Sequence, residues 1–224
     1  TDNTVEVAKS YPFVKVITAK KQGVVYGRNK GFNAVTSDLI GRIDADSKLD
    51  KTWVANIKKA FQDSEVTAVT GPAYFYDMPL APANYLADHA FKAPLYKLDK
   101  KFPFLFGTNM AIRRTAWEKV GAETCVDSRI HEDIDLAIHL YKHKMKIAYD
   151  SSIRVGMSTR RYDDKPLDFY KYMTMMKTSY GLHNMKPVGP HVAIVGFTLG
   201  YVVLWPLRRS YDPILEKRTV RQFL

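Results

Sequence analysis

The sequence predicts an α/β domain with a mostly parallel sheet flanked by helices on both faces. Two observations carry this. Short apolar runs alternate with amphipathic stretches through the first half of the chain, the order expected of strand–helix–strand units. One of those runs, residues 39–43, is followed at once by Asp44, as a buried strand is when it reaches the edge of a sheet.

Taken in order, residues 4–9 read as the end of a helix and 14–18 as a short strand. Residues 23–34 are a loop running into a helix, and 39–43 a buried strand. Asp50 is placed to cap a helix through Phe61, with Trp53, Ile57 and Phe61 on one face. A strand follows over 66–71, then a helix over 84–96 whose end is weakened by Pro94. The apolar run 102–106 leads into Gly107-Thr108-Asn109 and a short helix near 115–120. A strong helix over 131–143 puts Ile134, Ile138 and Tyr141 on one face, and 146–149 is a strand. No internal repeat or low-complexity linker interrupts this order.

The chain has 224 residues, 46% of them hydrophobic, which suits one α/β domain with an appendage and excludes a disordered chain. Its net charge of +11 favours anionic partners. The basic residues are scattered in pairs such as Lys20-Lys21, Lys100-Lys101, Arg113-Arg114 and Arg160-Arg161. No nucleic-acid-binding signature accompanies them, so no nucleic-acid partner is expected. Cys125 is the only cysteine, which excludes an intrachain disulfide and reads as a small apolar filler. The six histidines show no spacing that pairs into a zinc site; His139 and His143 are four apart, without the Glu of a zincin pattern.

Two acidic sites point to chemistry. Asp44-Ala45-Asp46 follows the 39–43 strand, and ligands of parallel sheets bind beyond the carboxyl ends of strands. Two carboxylates there can hold a hard divalent cation, and such a cation can neutralise a leaving phosphate. Glu132-Asp133, with Asp135 close by, opens the 131–143 helix. Capping accounts for one acid at a helix start; three in four positions exceed that need, and one of them can serve as a general base for an acceptor hydroxyl.

Five segments, in order, resemble the family 2 glycosyltransferases of GT-A fold. Thr1-Asp2-Asn3-Thr4 resembles the tail of the family's D-x-S-T-D-N-T loop, and Gly27-Arg28-Asn29-Lys30-Gly31 its A-R-N-x-G segment. Asp44-Ala45-Asp46 resembles its D-x-D metal motif, and residues 107–114 its acceptor-side G-x-N-x-x-x-R-R. Residues 131–136 resemble its E-D-x-D-L motif. The resemblance implies a metal-dependent, inverting enzyme using a nucleotide-sugar donor. Asp44 and Asp46 would then bind Mn²⁺ or Mg²⁺, with Asp44 also touching the donor, and Asp133 would be the base beside Glu132. Arg28 and Asn29 would lie near the nucleotide, and Asn109 would face the sugar or acceptor. The family's elements before the S-T-D-N-T loop are absent, so an N-terminally truncated domain is expected over residues 1–165. Ser158-Thr159-Arg160-Arg161-Tyr162 sits where processive members carry Q-x-x-R-W; without that Gln and Trp no polymer synthase is inferred, but Arg160 or Arg161 can touch the diphosphate.

Residues 166–224 form a different, helical region. Its first part mixes Tyr, Phe and Met with Lys, as a segment on a membrane surface does. Residues 187–207 then contain no Asp, Glu, Lys or Arg, and 188–207 is a candidate membrane segment. Pro190 would start its helix and Pro206 end it, leaving roughly 24 Å against a hydrocarbon core about 30 Å thick. Gly196 and Gly200 offer a G-x-x-x-G face to another helix, and Arg208-Arg209 suits headgroups. The expectation is an enzyme on the cytoplasmic face of the cell membrane, with a sugar or lipid-linked acceptor. An inactive GT-A membrane scaffold and a sugar nucleotidyltransferase are the alternatives.

Overall fold

The computed structural model describes residues 2–78, 81–98, 104–186, 188–212 and 217–218. Thr1, the Lys100-Lys101 pair, Phe102 and Pro187 lie outside the described residues, as do 213–216 and 219–224 of the C-terminal region.

The central sheet is built from β1 (Leu39–Arg42), β3 (Val66–Thr70), β5 (Met110–Arg113) and β6 (Lys146–Tyr149), in the order β1-β5-β3-β6. β5 runs antiparallel to both β1 and β3, and β3 runs parallel to β6. Three of the four strands therefore share a direction and β5 alone opposes them. β2 (Lys48–Leu49), β7 (Val155–Met157) and β4 (Ala73–Phe75) make a second, smaller sheet in that order.

Alternation along the strands sends side chains to two cores. Met110 and Ile112 join Ile40, Ala68, Phe32, Trp117, Leu136 and Leu140 on the face covered by α2 (Val24–Asn33), α5 (Arg114–Val120) and α6 (Glu132–Lys142). Ala111 and Val69 face Trp53, Ile57 and Phe61 across α3 (Trp53–Ala60). Val66 shares that second core although it has the same parity as Ala68, because the β3–β6 register shifts between them.

Most expected elements form, with definite exceptions. Residues 14–18 join no ladder, and Phe13, Val14 and Ile17 are exposed, so the apolar run lacks the neighbour that would make it a strand. Asp50 does not cap α3 through its side chain; its carboxylate pairs with Arg154 at 2.9 Å and accepts the Tyr74 hydroxyl. Tyr141 is exposed while Ile134 and Ile138 are buried. Pro94 lies inside α4 (Ala81–Leu98), which continues for four residues beyond it.

The C-terminal region adds α7 (Pro166–Gly181), packed between α6 and α8 (Gly189–Arg209). α8 carries Pro206 within it and is 21 residues long, about 31 Å at 1.5 Å per residue, so it is longer than the prolines suggested. Ile194 and Tyr201 face inward with Phe169, Met173 and Tyr162. Gly196 lies where a Cβ would come 3.3 Å from Phe91, so it faces α4; Gly200 meets nothing. Arg208 is not free for headgroups: it sits 3.2 Å from Asp163 and 3.8 Å from Asp77.

Candidate active site

Two loops and one helix start meet at the carboxyl end of β1. Because β5 is antiparallel to β1, Arg42 at the end of β1 pairs with Met110 at the start of β5. The turn before β5 therefore passes over Arg42. A side chain at Gly107 would strike the Arg42 guanidinium at 2.7 Å, so this position needs glycine for close approach.

Arg42 organises the acids around it. Its Nη2 lies 2.5 Å from Glu132 Oε1 and 3.8 Å from Asp44 Oδ1, which places the end of β1 and the start of α6 on one guanidinium. Asp133 Oδ2 accepts the Gly107 N–H at 2.7 Å, and Oδ1 accepts that of Ile134 at 2.8 Å. Burial works against the Arg42 charge, but Glu132 and Asp133 outweigh it and hold its pKa above the ordinary value. Asp44 is pushed upward, first by burial, with Arg42 opposing and Asp133, Asp46 and Glu132 adding like charge.

Asp46 lies on the other side of the turn. Its carboxylate accepts Arg160 Nη2 at 2.7 Å, and its carbonyl accepts the Tyr76 hydroxyl. Arg160 and Arg161 belong to a 3₁₀ turn over Arg160–Asp163. Arg161 stacks 4.1 Å over Tyr172 of α7, whose hydroxyl is pushed up to about 12 by burial and then by Asp133. Strand ends, helix start and basic turn thus lie close together.

The donor set at the cleft consists of hard carboxylate oxygens. Asp44 and Asp46 offer oxygens of the kind that hold Mg²⁺ or Mn²⁺, with the Asp46 carboxylate now on Arg160.

Three expected substrate contacts stand elsewhere. Asn109 is fully buried with both amide hydrogens and its oxygen engaged: Oδ1 accepts Trp53 Nε1–H, and Nδ2 donates to the carbonyls of Pro72 and Ile153. It ties β5 to the second core and cannot face a sugar. Arg28 is buried, with Nη1 on the Glu132 carbonyl, and burial lowers it to about 10. It braces the start of α6 from behind. Asn29 reaches Thr124 and lines a separate depression with Phe32 and Trp117 that contains none of the cleft acids.

Two residues went unnoticed in the sequence. Arg42 reads as the polar end of a strand, and only the β1–β5 pairing reveals its position. Buried Asp77 accepts the Thr159 N–H and the hydroxyls of Thr159 and Ser158, fixing the turn that carries Arg160 and Arg161. No local pattern marks it, because its partners lie about eighty residues away.

Residues 1–121 match the family model described as glycosyl transferase family 2. No curated protein matches the chain. Among solved structures, the chain is similar to glucosyl-3-phosphoglycerate synthase from Mycobacterium tuberculosis in complex with phosphoglyceric acid. The two are 15% identical over 84% of this chain and 67% of that one, with a TM-score of 0.49.

Proposed function

As this chain belongs to glycosyl transferase family 2 and has its GT-A α/β fold, we propose that it moves a sugar from a nucleotide-diphosphate donor to an acceptor hydroxyl, inverting the anomeric centre. The observation that carries this reading is the convergence of Asp44 and Glu132 on Arg42, with Asp133 docked on Gly107 beside them. Acids from a strand end and a helix start thereby share one cleft.

Asp133 is the general base. Each of its oxygens accepts one amide hydrogen and keeps a further lone pair for the acceptor hydroxyl proton. Glu132 and Arg42 hold the start of α6 against β1. Asp44 and Asp46 hold a divalent cation, which when bound neutralises charge on the departing diphosphate. Arg160, now on Asp46, is exposed and free to turn to a phosphate, and Arg161 lies beside it.

The test is nucleotide release from a panel of nucleotide-sugars with Mn²⁺ or Mg²⁺. Wild type should turn over, and Asp46→Asn should lose more than about 100-fold, since metal stabilisation of the leaving group is worth several kcal/mol. Full activity in Asp46→Asn removes it from the ligand set. Absence of donor binding by the wild type sinks the enzyme reading.

The acceptor is lipid-linked, and the cleft lies at the cytoplasmic face of a membrane. In support, α8 is apolar enough to cross a bilayer by length and composition, with only 22% of its most apolar window buried. Val188, Val192, Val195, Leu199 and Val202 form an exposed stripe at helical spacing, opposite the face packed on α7. A helix held to the domain on one side and apolar on the other suits the membrane plane. Val195→Ser with Leu199→Ser should weaken binding to anionic lipid vesicles about 100-fold, from about 1.5 kcal/mol or more per buried side chain. Failure of the wild type to bind vesicles removes the membrane proposal.

A further inference from the structure

On the side of α6 turned away from the cleft, four side chains from three segments converge. Cys125 follows the 3₁₀ turn Gly121–Glu123, Asp135 and His139 stand one helical turn apart on α6, and His183 follows α7. One ligating atom from each lies within 4.8 Å of all the others. His183 Nε2 is 2.7 Å from Asp135 Oδ1 and 3.9 Å from Cys125 Sγ. Asp135 Oδ2 accepts the Cys125 N–H at 2.9 Å. Neither the lone cysteine nor the spacing of the histidines announces this gathering in the sequence.

His139 gives the cluster its direction. It is 6% exposed, and among the described residues neither ring nitrogen has a well-formed hydrogen bond. Nε2 stands 3.6 Å from Asp135 Oδ1, and Nδ1 3.4 Å from Glu123 Oε2. Leaving a buried polar atom unsatisfied costs about 1–3 kcal/mol, and a cation between His139 and its neighbours removes that cost.

We propose that Cys125 Sγ, Asp135 Oδ1, His139 Nε2 and His183 Nε2 form a closed zinc site. It is independent of the glycosyl-transfer reading and shares no ligand with the cleft. Tetrahedral zinc at 2.0–2.3 Å sets its ligand atoms about 3.3–3.8 Å apart, so these side chains need to move by about 1 Å or less. A thiolate and two imidazoles select zinc over magnesium or calcium. Four protein ligands leave no open position, which makes the site structural. Cys125 releases its thiol proton to solvent when the ion binds.

The surroundings suit this assignment. Glu123 faces His139 Nδ1 and is itself held by His143 Nε2 at 2.9 Å, a carboxylate that orients a metal-bound imidazole. Lys142 Nζ is 2.7 Å from His183 Nδ1. That contact leaves the ring proton on Nε2, so zinc at Nε2 requires the proton to move to Nδ1 and exposed Lys142 to turn to solvent. The ion would fasten α6, and with it the start that carries Glu132 and Asp133, to the preceding loop and to the end of α7.

The experiment is elemental analysis of the purified full chain, followed by Co²⁺ titration of the chelator-treated protein. About one zinc per chain is expected, with Co²⁺ giving tetrahedral visible bands and thiolate charge transfer in the near ultraviolet. Cys125→Ser should abolish the charge-transfer band and weaken Co²⁺ binding more than about 100-fold; Glu123→Gln should weaken it about 10–100-fold. Asp46→Asn should leave both signals intact. The proposal is overturned by a wild type without zinc or a cobalt spectrum, by an unchanged spectrum in Cys125→Ser, or by loss of the signals in Asp46→Asn. Circular dichroism of each variant separates loss of metal from loss of fold.

Discussion

Asp133 and Asp135 stand two residues apart on α6 in opposite surroundings. Two residues turn a helix by about 200°, so one carboxylate reaches the cleft and the other the interior. Asp133 is half-buried and held by two backbone amides beside Arg42 and Glu132. Asp135 is fully buried between the Cys125 amide, His183 and His139. The same residue type therefore stands among amides and carboxylates on one side and among imidazoles and a thiol on the other. What each acid can do follows from the direction the helix gives it.

The sharpest way to break this comparison is to neutralise one acid at a time. Asp133→Asn should lower turnover about 10²–10⁴-fold, the usual worth of a general base, with donor affinity and melting temperature little changed. Steady-state kinetics check it; equal loss of donor binding with unchanged turnover would make Asp133 a donor contact. Asp135→Ala should instead destabilise the protein by about 3–5 kcal/mol, because it strands buried partners on three segments. Urea unfolding measures this, and a change within about 0.5 kcal/mol would mean that the interior cluster holds nothing together.

A smaller effect sharpens the cleft side. Gly107→Ala drives a methyl group into the Arg42 guanidinium, which Glu132 and Asp44 hold in place. We expect about 1–3 kcal/mol of destabilisation from overpacking. Turnover should also fall as the start of α6 shifts, since a misplacement of about 1 Å can cost 10²-fold. Normal kinetics in this variant would show that Arg42 does not position Asp133.

The cleft was more legible in the sequence than the interior cluster. Asp44 and Asp46 follow an apolar strand, and Glu132 and Asp133 open a strongly periodic helix, so each pair announced itself locally. Arg42 and Asp77 did not, since their partners lie on other elements. The four-residue spacing of His139 and His143 carried no zinc pattern, and their partners lie elsewhere. His139 faces Asp135 one turn earlier and His183 forty-odd residues later, while His143 turns to Glu123. Asn109 misled: a motif position in a loop turned out to be a hydrogen-bonded core amide.

The amino-acid sequence alone predicts the α/β alternation, the faces of α3 and most of α6, the strand-end and helix-start acids, and an apolar C-terminal helix, though not its full length. These follow from period and from local chemistry, which are properties of neighbouring residues. Only the tertiary structure decided which short runs became strands, since β2, β4, β5 and β7 form where a partner is at hand and residues 14–18, without one, do not. It also decided that Gly107 rests on Arg42 and that Cys125, Asp135, His139 and His183 meet. Such meetings depend on strand register and helix packing between distant segments, and no local spacing records them.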